Sequence, residues 1–204
     1  MLLYQFNPKI HNLGNIGLGG FLHAEMAQFS TKLIDILAYE GRDIRKEITD
    51  CYKYNSVLDL CCGVGLSTPE NGIGIDTSGI MIRKAKGIHK NKEFYIENAE
   101  SYRPSKIIDV VTCMYAFHEM PEYAWIKIIE NSIKIAKKEI IIVDISPNYI
   151  PSNIMLSGEP YLENYIKKFD RISKIYKFNR YDIIKDKVTI WYKNMDYLYL
   201  NDFK

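Results

Sequence analysis

The sequence predicts an α/β protein. Its sheet is doubly wound, seven-stranded and mostly parallel, with an antiparallel last strand and a first crossover helix that is shortened or missing. Three observations carry this. From Tyr54 onward, short apolar runs alternate with helical stretches, the pattern of parallel strands joined by right-handed crossovers. Only Leu66 to Asn71 separate the glycine turn Gly63-Val-Gly65 from the next apolar run, where a parallel crossover ordinarily needs about 10–12 residues or more. The last run alternates Val188, Ile190 and Tyr192, as an antiparallel strand with one solvated face would.

Taken in order, residues 1–20 carry one charge, Lys9, and end in Gly14, Gly17, Gly19 and Gly20, which predicts a loop. From Leu22, the spacing of Met26, Phe29, Leu33 and Leu37 predicts a helix that buries that stripe. A second helix is expected from Asp43 to about Cys51. Strands are expected at Val57–Leu60, Gly72–Asp76, Glu93–Ile96, Ile107–Cys113 and Glu139–Asp144. Helices are expected from Ser78 to about Ile88 and after Pro121, the latter with Trp125, Ile129, Ile133 and Ala136 inward. The tail predicts a helix near Pro160–Asp170 and strands at about Lys174–Phe178 and Lys187–Lys193.

Composition narrows the function. A chain of 204 residues, 47% hydrophobic and 25% charged, can bury a sizeable core as a single domain. No apolar run approaches the roughly 18 residues of a membrane span. The opening Met1-Leu-Leu-Tyr-Gln-Phe-Asn-Pro8 has no basic stretch followed by a long apolar one, so no secretory leader is expected. A net charge of +2 argues against nucleic-acid binding through bulk electrostatics. Cys51, Cys61, Cys62 and Cys113 form no paired CxxC and have no histidine at zinc-ligand spacing, so reduced thiols, no metal site and a cytoplasmic location are expected.

In sheets of this kind ligands bind at the carboxyl ends of the strands. Val57-Leu-Asp-Leu-Cys-Cys-Gly-Val-Gly65 places an acid inside the first strand and glycines after it, where backbone N–H groups can approach a ligand. Asp76 ends the second strand, able to accept both hydrogen bonds of a ribose diol. A lone GxG also suits dinucleotides, but no third glycine follows and the first strand carries Asp59. With Gly74-Ile-Asp-Thr-Ser-Gly-Ile-Met-Ile-Arg-Lys-Ala85, Asn98-Ala-Glu100 and Ile108-Asp-Val-Val-Thr-Cys-Met-Tyr-Ala-Phe-His-Glu-Met-Pro121, the chain resembles the class I S-adenosylmethionine-dependent methyltransferases. The resemblance is to their small-molecule branch, which includes the ubiquinone/menaquinone methylases, and it runs from about Ser56 to Ser146.

That resemblance implies a Rossmann-like fold and S-adenosylmethionine as cofactor, with S-adenosylhomocysteine as product. It implies that Asp59, through the loop, helps hold the methionine ammonium, and that Gly63 and Gly65 make room for methionine and ribose. Asp76 would take the ribose hydroxyls, Ile75 and Thr77 would flank sugar and adenine, Asn98 and Ala99 would meet the adenine edge, and Met114 would lie beside the sulfonium. Cys61 stands where the family has its first loop glycine, a change that is tolerable at negative φ. Asn98 replaces the usual adenine-binding Asp while keeping an acceptor oxygen. The resemblance further divides the chain into N-terminal lid and helices over 1–53 and a methyltransferase core over 54–204, with an acceptor lid at about 146–165.

On the acceptor side, the Asn/Asp-Pro-Pro-aromatic signature of amino-methylases of nucleic-acid bases is absent after the fourth strand. His118 and Glu119 are the candidate acid/base or orienting groups, with Tyr115 beside them. His11, Asn12, Tyr149, Glu159 and Tyr161 are candidate acceptor contacts. The expected activity is methyl transfer to a small molecule by a monomer or homodimer. A catalytically silent cofactor-binding protein, a nucleotide-dependent oxidoreductase and a nucleic-acid or protein methyltransferase remain as alternatives.

Overall fold

The computed structural model describes residues 13–14 and 17–195; His11 and Asn12 lie outside them. One seven-stranded sheet has the order β3-β2-β1-β4-β5-β7-β6. Its strands are β1 Val57–Leu60, β2 Ile73–Asp76, β3 Glu93–Ile96, β4 Ile108–Met114, β5 Ala136–Ile145, β6 Asn179–Ile184 and β7 Val188–Asn194. The first five pair in parallel, whereas β7 runs antiparallel to both β5 and β6. The helices are α1 Gly17–Leu37, α2 Ile44–Cys51, α3 Gly79–Ile88, α4 Glu122–Ile135, α5 Asn153–Gly158 and α6 Leu162–Ile175. The chain steps outward from β1 to β3 and returns beside β1 as β4. The strand order therefore reverses between β1 and β4, and a crevice opens at their carboxyl ends.

Period-two alternation in the strands sends side chains to two cores. Leu58, Leu60, Val111, Ile140, Ile142 and Trp191 pack under α4 and α6, with Trp125, Tyr165 and Phe169. Val57, Val110, Ile141, Val143 and Ile190 pack on the opposite face against Tyr39 and Ile44, at and between the ends of α1 and α2. Two helix starts follow from capping side chains: Asp43 accepts Lys46 N–H at 2.9 Å, and Ser78 accepts Met81 N–H at 3.3 Å.

No helix occupies residues 61–72 between β1 and β2, as the spacing predicts. Buried Asp59 organises this loop instead. Its Oδ2 accepts Ser67 Oγ at 2.8 Å and Thr68 Oγ1 at 2.7 Å, while Oδ1 accepts Thr112 Oγ1 from β4 at 3.0 Å. Phe94 and Cys62 fill the adjoining sheet surface with Ile82 and Ala85 of α3. Alanine at Gly74 would put a Cβ 2.6 Å from Phe94. The N-terminal helix supplies further cover: Ala24 and Ala27 pack on Val64 and Leu66 of the loop and on Met81 of α3.

Four expectations are corrected. α1 begins at Gly17, so three glycines of the expected loop are helical, and a Cβ on Gly19 would lie 1.9 Å from the Leu13 carbonyl oxygen. The stripe expected to be buried is exposed, at 52% for Met26, 67% for Phe29, 44% for Leu33 and 73% for Leu37. α1 lies too close to loop and cleft for large side chains, so its small residues face in. Lys174–Phe178 is not a strand, because the stripe Leu162, Tyr165, Phe169, Ile172 carries α6 to Ile175 and Lys177 turns the chain at φ 57°. β7 has no solvated face through Val188–Trp191, since it lies between β5 and β6 with helices over both of its faces.

Candidate cofactor and acceptor site

A cleft with a cavity volume of about 200 Å³ opens at the switch point. Its floor is Cys61–Val64 after β1, Ile75–Thr77 at the end of β2, Asn98–Glu100 after β3 and Met114–Ala116 after β4. Its roof comes from the inner face of α1, through His23, Ala27 and Thr31, and from Arg45 of α2. Most of the expected cofactor residues thus meet in one space, although they come from four separate strand ends.

Asp76 is the hinge of the floor. Its Oδ2 accepts Gly63 N–H at 2.9 Å and its Oδ1 accepts Ser78 N–H at 2.8 Å. A carboxylate offers about four lone-pair sites, so capacity is left for a ligand in the cleft. Burial pushes the carboxyl up to about 6, against the lowering effect of the Ser78 and Gly63 amides, with Glu119 and Asp59 adding to the rise. Gly63 has φ 53° and open space where a Cβ would stand. Asn98 lines the cleft, but its Oδ1 already accepts Glu100 N–H at 2.8 Å, which closes the turn after β3.

Several expected site residues take other places. Cys61 stands at φ 56°, so the condition of negative φ is not met; Tyr115, the residue after β4 next door, has φ 54°. Two non-glycine residues in the left-handed region at adjacent strand ends hold strain of about 1–3 kcal/mol each at the cleft floor. Asp59 does not line the cleft and spends its hydrogen bonds on three hydroxyls; burial raises its pKa against the bonds from Thr68, Ser67 and Thr112. Gly65 does not line it either. It is glycine because φ is 80° and a Cβ would strike the Phe94 ring at 2.5 Å.

His118 is buried beneath the floor. Its Nδ1 lies 2.6 Å from Asp144 Oδ1, and Asp144 Oδ2 accepts the N–H groups of Phe117 and His118 at 2.9 and 3.2 Å. Burial works against the imidazolium, but Asp144, Glu119 and Glu159 outweigh it and raise the His118 pKa. His118, a candidate acid/base or orienting group from the sequence, thus lies behind the cleft wall and does not line the cleft. Glu119 lines the cleft, with Oε1 3.9 Å from His118 Nε2. Tyr115 forms part of the wall, stacked on Tyr39 at 5.8 Å with the Arg45 guanidinium 4.2 Å from its ring centroid. Burial holds the Tyr115 phenol well above its ordinary pKa, so it is a neutral donor rather than a base.

Tyr149, Glu159 and Tyr161 do not line the cleft. Their segment folds toward the α4–α6 core, where Tyr149, Leu162 and Tyr165 pack. Conversely, Arg45, His23, Thr31, Glu97 and Met120 line the cleft without having been expected. Three of them, His23 and Thr31 on α1 and Arg45 on α2, sit on helices with no motif around them, so only the packing of α1 and α2 over the sheet could find them. Asp144 had a signal, an acid closing a buried strand. Among the described residues no group of three or more His, Cys, Asp or Glu could hold a metal ion, and no helix is long and apolar enough to cross a membrane.

Known structures share this architecture. The plantazolicin methyltransferase BamL is 18% identical, with a TM-score of 0.59 over 86% of this chain and 92% of its own. The fold is that of the class I methyltransferases. Magnesium protoporphyrin IX methyltransferase from Synechocystis is 13% identical, with a TM-score of 0.56 over 89% of this chain and 88% of its own. A SAM-dependent methyltransferase from Aquifex aeolicus is 18% identical, with a TM-score of 0.55 over 74% of this chain and 89% of its own. No family model and no curated protein matches the sequence.

Proposed function

We propose that this protein transfers a methyl group from S-adenosylmethionine to a small-molecule acceptor. The observation that carries the reading is the Asp76–Gly63 pair at the cleft floor, a carboxylate with acceptor capacity to spare beside a glycine with open space above it. These residues fit a ribose diol and a methionine chain. The likeness in fold to BamL and to the Synechocystis enzyme, both crystallised with S-adenosylhomocysteine, supports the same cofactor.

A dinucleotide is disfavoured by the loop that follows. Pyrophosphate recognition uses a helix N-terminus directly behind the glycine turn, and residues 61–72 form none. The missing crossover helix is what would favour a catalytically silent cofactor-binding protein. Asp59, Ser67, Thr68 and Thr112 hold the loop in place without it, which weakens the alternative.

When bound, S-adenosylmethionine supplies a methyl carbon made electrophilic by its sulfonium. The chain's task is to align an acceptor lone pair with it and keep water out. Asp76 fixes the sugar end, Asn98 and Ala99 border the adenine, and Met114 lies at the reacting end. Tyr115 and Arg45 wall the acceptor side beneath α1. Glu119 faces that space, placed to orient the acceptor or accept its proton, while His118 and Asp144 hold the turn Phe117–Glu119 from behind.

Calorimetry with S-adenosylhomocysteine and with NAD separates the cofactor classes. The proposal expects saturable binding of the first and none of the second; the reverse result overturns it. Methyl transfer from labelled S-adenosylmethionine to a metabolite panel then identifies the acceptor.

A further inference from the structure

We propose that α1 is a dimer interface, pairing antiparallel with α1 of a second copy about a two-fold axis near Ala27 and Gln28. The helix is inverted relative to an ordinary surface helix. Its inner face is small or polar, with Gly20, Ala24, Ala27 and Thr31 over the loop and cleft. Its outer face carries Leu18, Leu22, Met26, Phe29, Leu33 and Leu37, all exposed. At 100° per residue these six fall in one stripe about 100° wide, running the length of the helix.

Three features favour a second copy over other occupants. The stripe residues follow one another at intervals of four, four, three, four and four, so the pattern reads the same from either end. Antiparallel pairing therefore sets Leu18 beside Leu37, Leu22 beside Leu33 and Met26 beside Phe29, and their symmetry mates repeat each contact. An isologous interface requires this self-complementarity.

Charge is the second feature. Glu25 and Lys32, seven residues apart, flank the stripe on the same side. Under the two-fold axis Glu25 of one copy comes within about two residues' rise of Lys32 of the other, roughly 3 Å along the axis. Glu25 also pairs with Lys84 of its own chain at 2.6 Å, so each charge pair would join an existing surface network.

Area is the third. Side chains of this size remove on the order of 100 Å² each when covered. The six, with Ile36 at their border, offer roughly 600–700 Å² per copy, near the ~800 Å² per partner of a standard interface. A membrane surface is disfavoured, because an interfacial helix carries Lys and Arg on its polar face, and α1 has Lys32 as its sole Lys or Arg.

The test uses the full chain without ligand, so its result is independent of the cofactor reading. Sedimentation equilibrium should give a dimer at tens of micromolar, and Phe29→Glu should give a monomer with unchanged far-UV circular dichroism. Register is read by crosslinking in a Cys51→Ser background. Met26→Cys mixed with Phe29→Cys should form an intermolecular disulfide under mild oxidation, and neither alone should do so. This arm introduces no charge, so it decides the matter if Phe29→Glu fails to fold. A monomeric wild type, a dimer that survives Phe29→Glu, or a disulfide from Met26→Cys alone overturns the proposal. So does a monomer that floats with vesicles of phosphatidylcholine and phosphatidylglycerol.

Discussion

Asp76 shows how one carboxylate can shape the fold and still line the cleft. Its bonds to Gly63 and Ser78 shape the glycine turn and the start of α3, and the side chain keeps acceptor capacity at the cleft floor. Asp76→Ala is expected to weaken S-adenosylhomocysteine binding by about 1.5–3 kcal/mol, the range for a hydrogen bond to a charged group. Calorimetry on the folded variant checks this, and an unchanged affinity removes the proposed ribose contact. Glu119 and His118 divide differently. Glu119→Gln is expected to lower kcat by about 10²–10⁴-fold if Glu119 accepts a proton, with product affinity nearly unchanged. His118→Gln should act chiefly on stability, because it removes the imidazole partner of Asp144, which is fully buried and keeps only backbone N–H donors. Equal kcat losses in both variants at equal stability would return His118 to the reacting centre. Asp76, ending β2, and Asn98, two residues past β3, were legible as cleft residues because each sits inside a spaced motif. Arg45 and Thr31 were not, since a side chain on a packed helix reaches the cleft only through tertiary placement.

The elements were legible where local pattern and environment agree. β1 through β5 follow their apolar runs within a few residues, and the missing crossover helix could be counted from the spacing after Gly65. α1 was read with the wrong face inward. Periodicity locates an apolar stripe but says nothing about which surface it meets, and here small residues win the inner face because the loop lies close. Ala24 and Ala27 cover Val64, Leu66 and Met81, while Tyr39 and Ile44 seal the sheet over Val110, Ile141 and Ile190. A chain beginning at Tyr54 is therefore expected to be insoluble or molten, with bound hydrophobic dye and no cooperative melting transition. A soluble fragment with a sharp calorimetric transition would show that the two helices are not part of the core.

At the scale of the whole molecule, Asp76 at the cleft floor and the buried Asp59 and His118 behind it titrate in one direction. The Asp76 carboxyl is raised to about 6 in the folded chain, against about 3.9 unfolded. It binds its proton more tightly folded than unfolded, so its ionisation costs stability above the folded value. Roughly two pKa units correspond to about 2–3 kcal/mol at neutral pH, a cost relieved as pH falls from about 7 toward 4. Asp59 is raised by burial in the same sense. His118 is raised as well, so its contribution is fully present below about 6.5 and is lost as pH rises through the folded value. Acting the other way, Asp109 and Asp170 are lowered despite burial by amide, lysine or arginine partners, and they lose stability only at more acid pH. The ligand-free protein is therefore expected to melt at higher temperature near pH 5 than near pH 8. Occupation of the cleft by a ribose diol holds Asp76 ionised and offsets its cost, so S-adenosylhomocysteine should raise Tm more at pH 8 than at pH 5. Asp76→Asn should flatten the ligand-free profile while leaving the part that belongs to His118. Scanning calorimetry across this range, with and without S-adenosylhomocysteine, separates the contributions. A ligand-free Tm that rises from pH 5 to pH 8 would mean that Asp76 is not held protonated by its burial, and the electrostatic account of the cleft floor would fall with it.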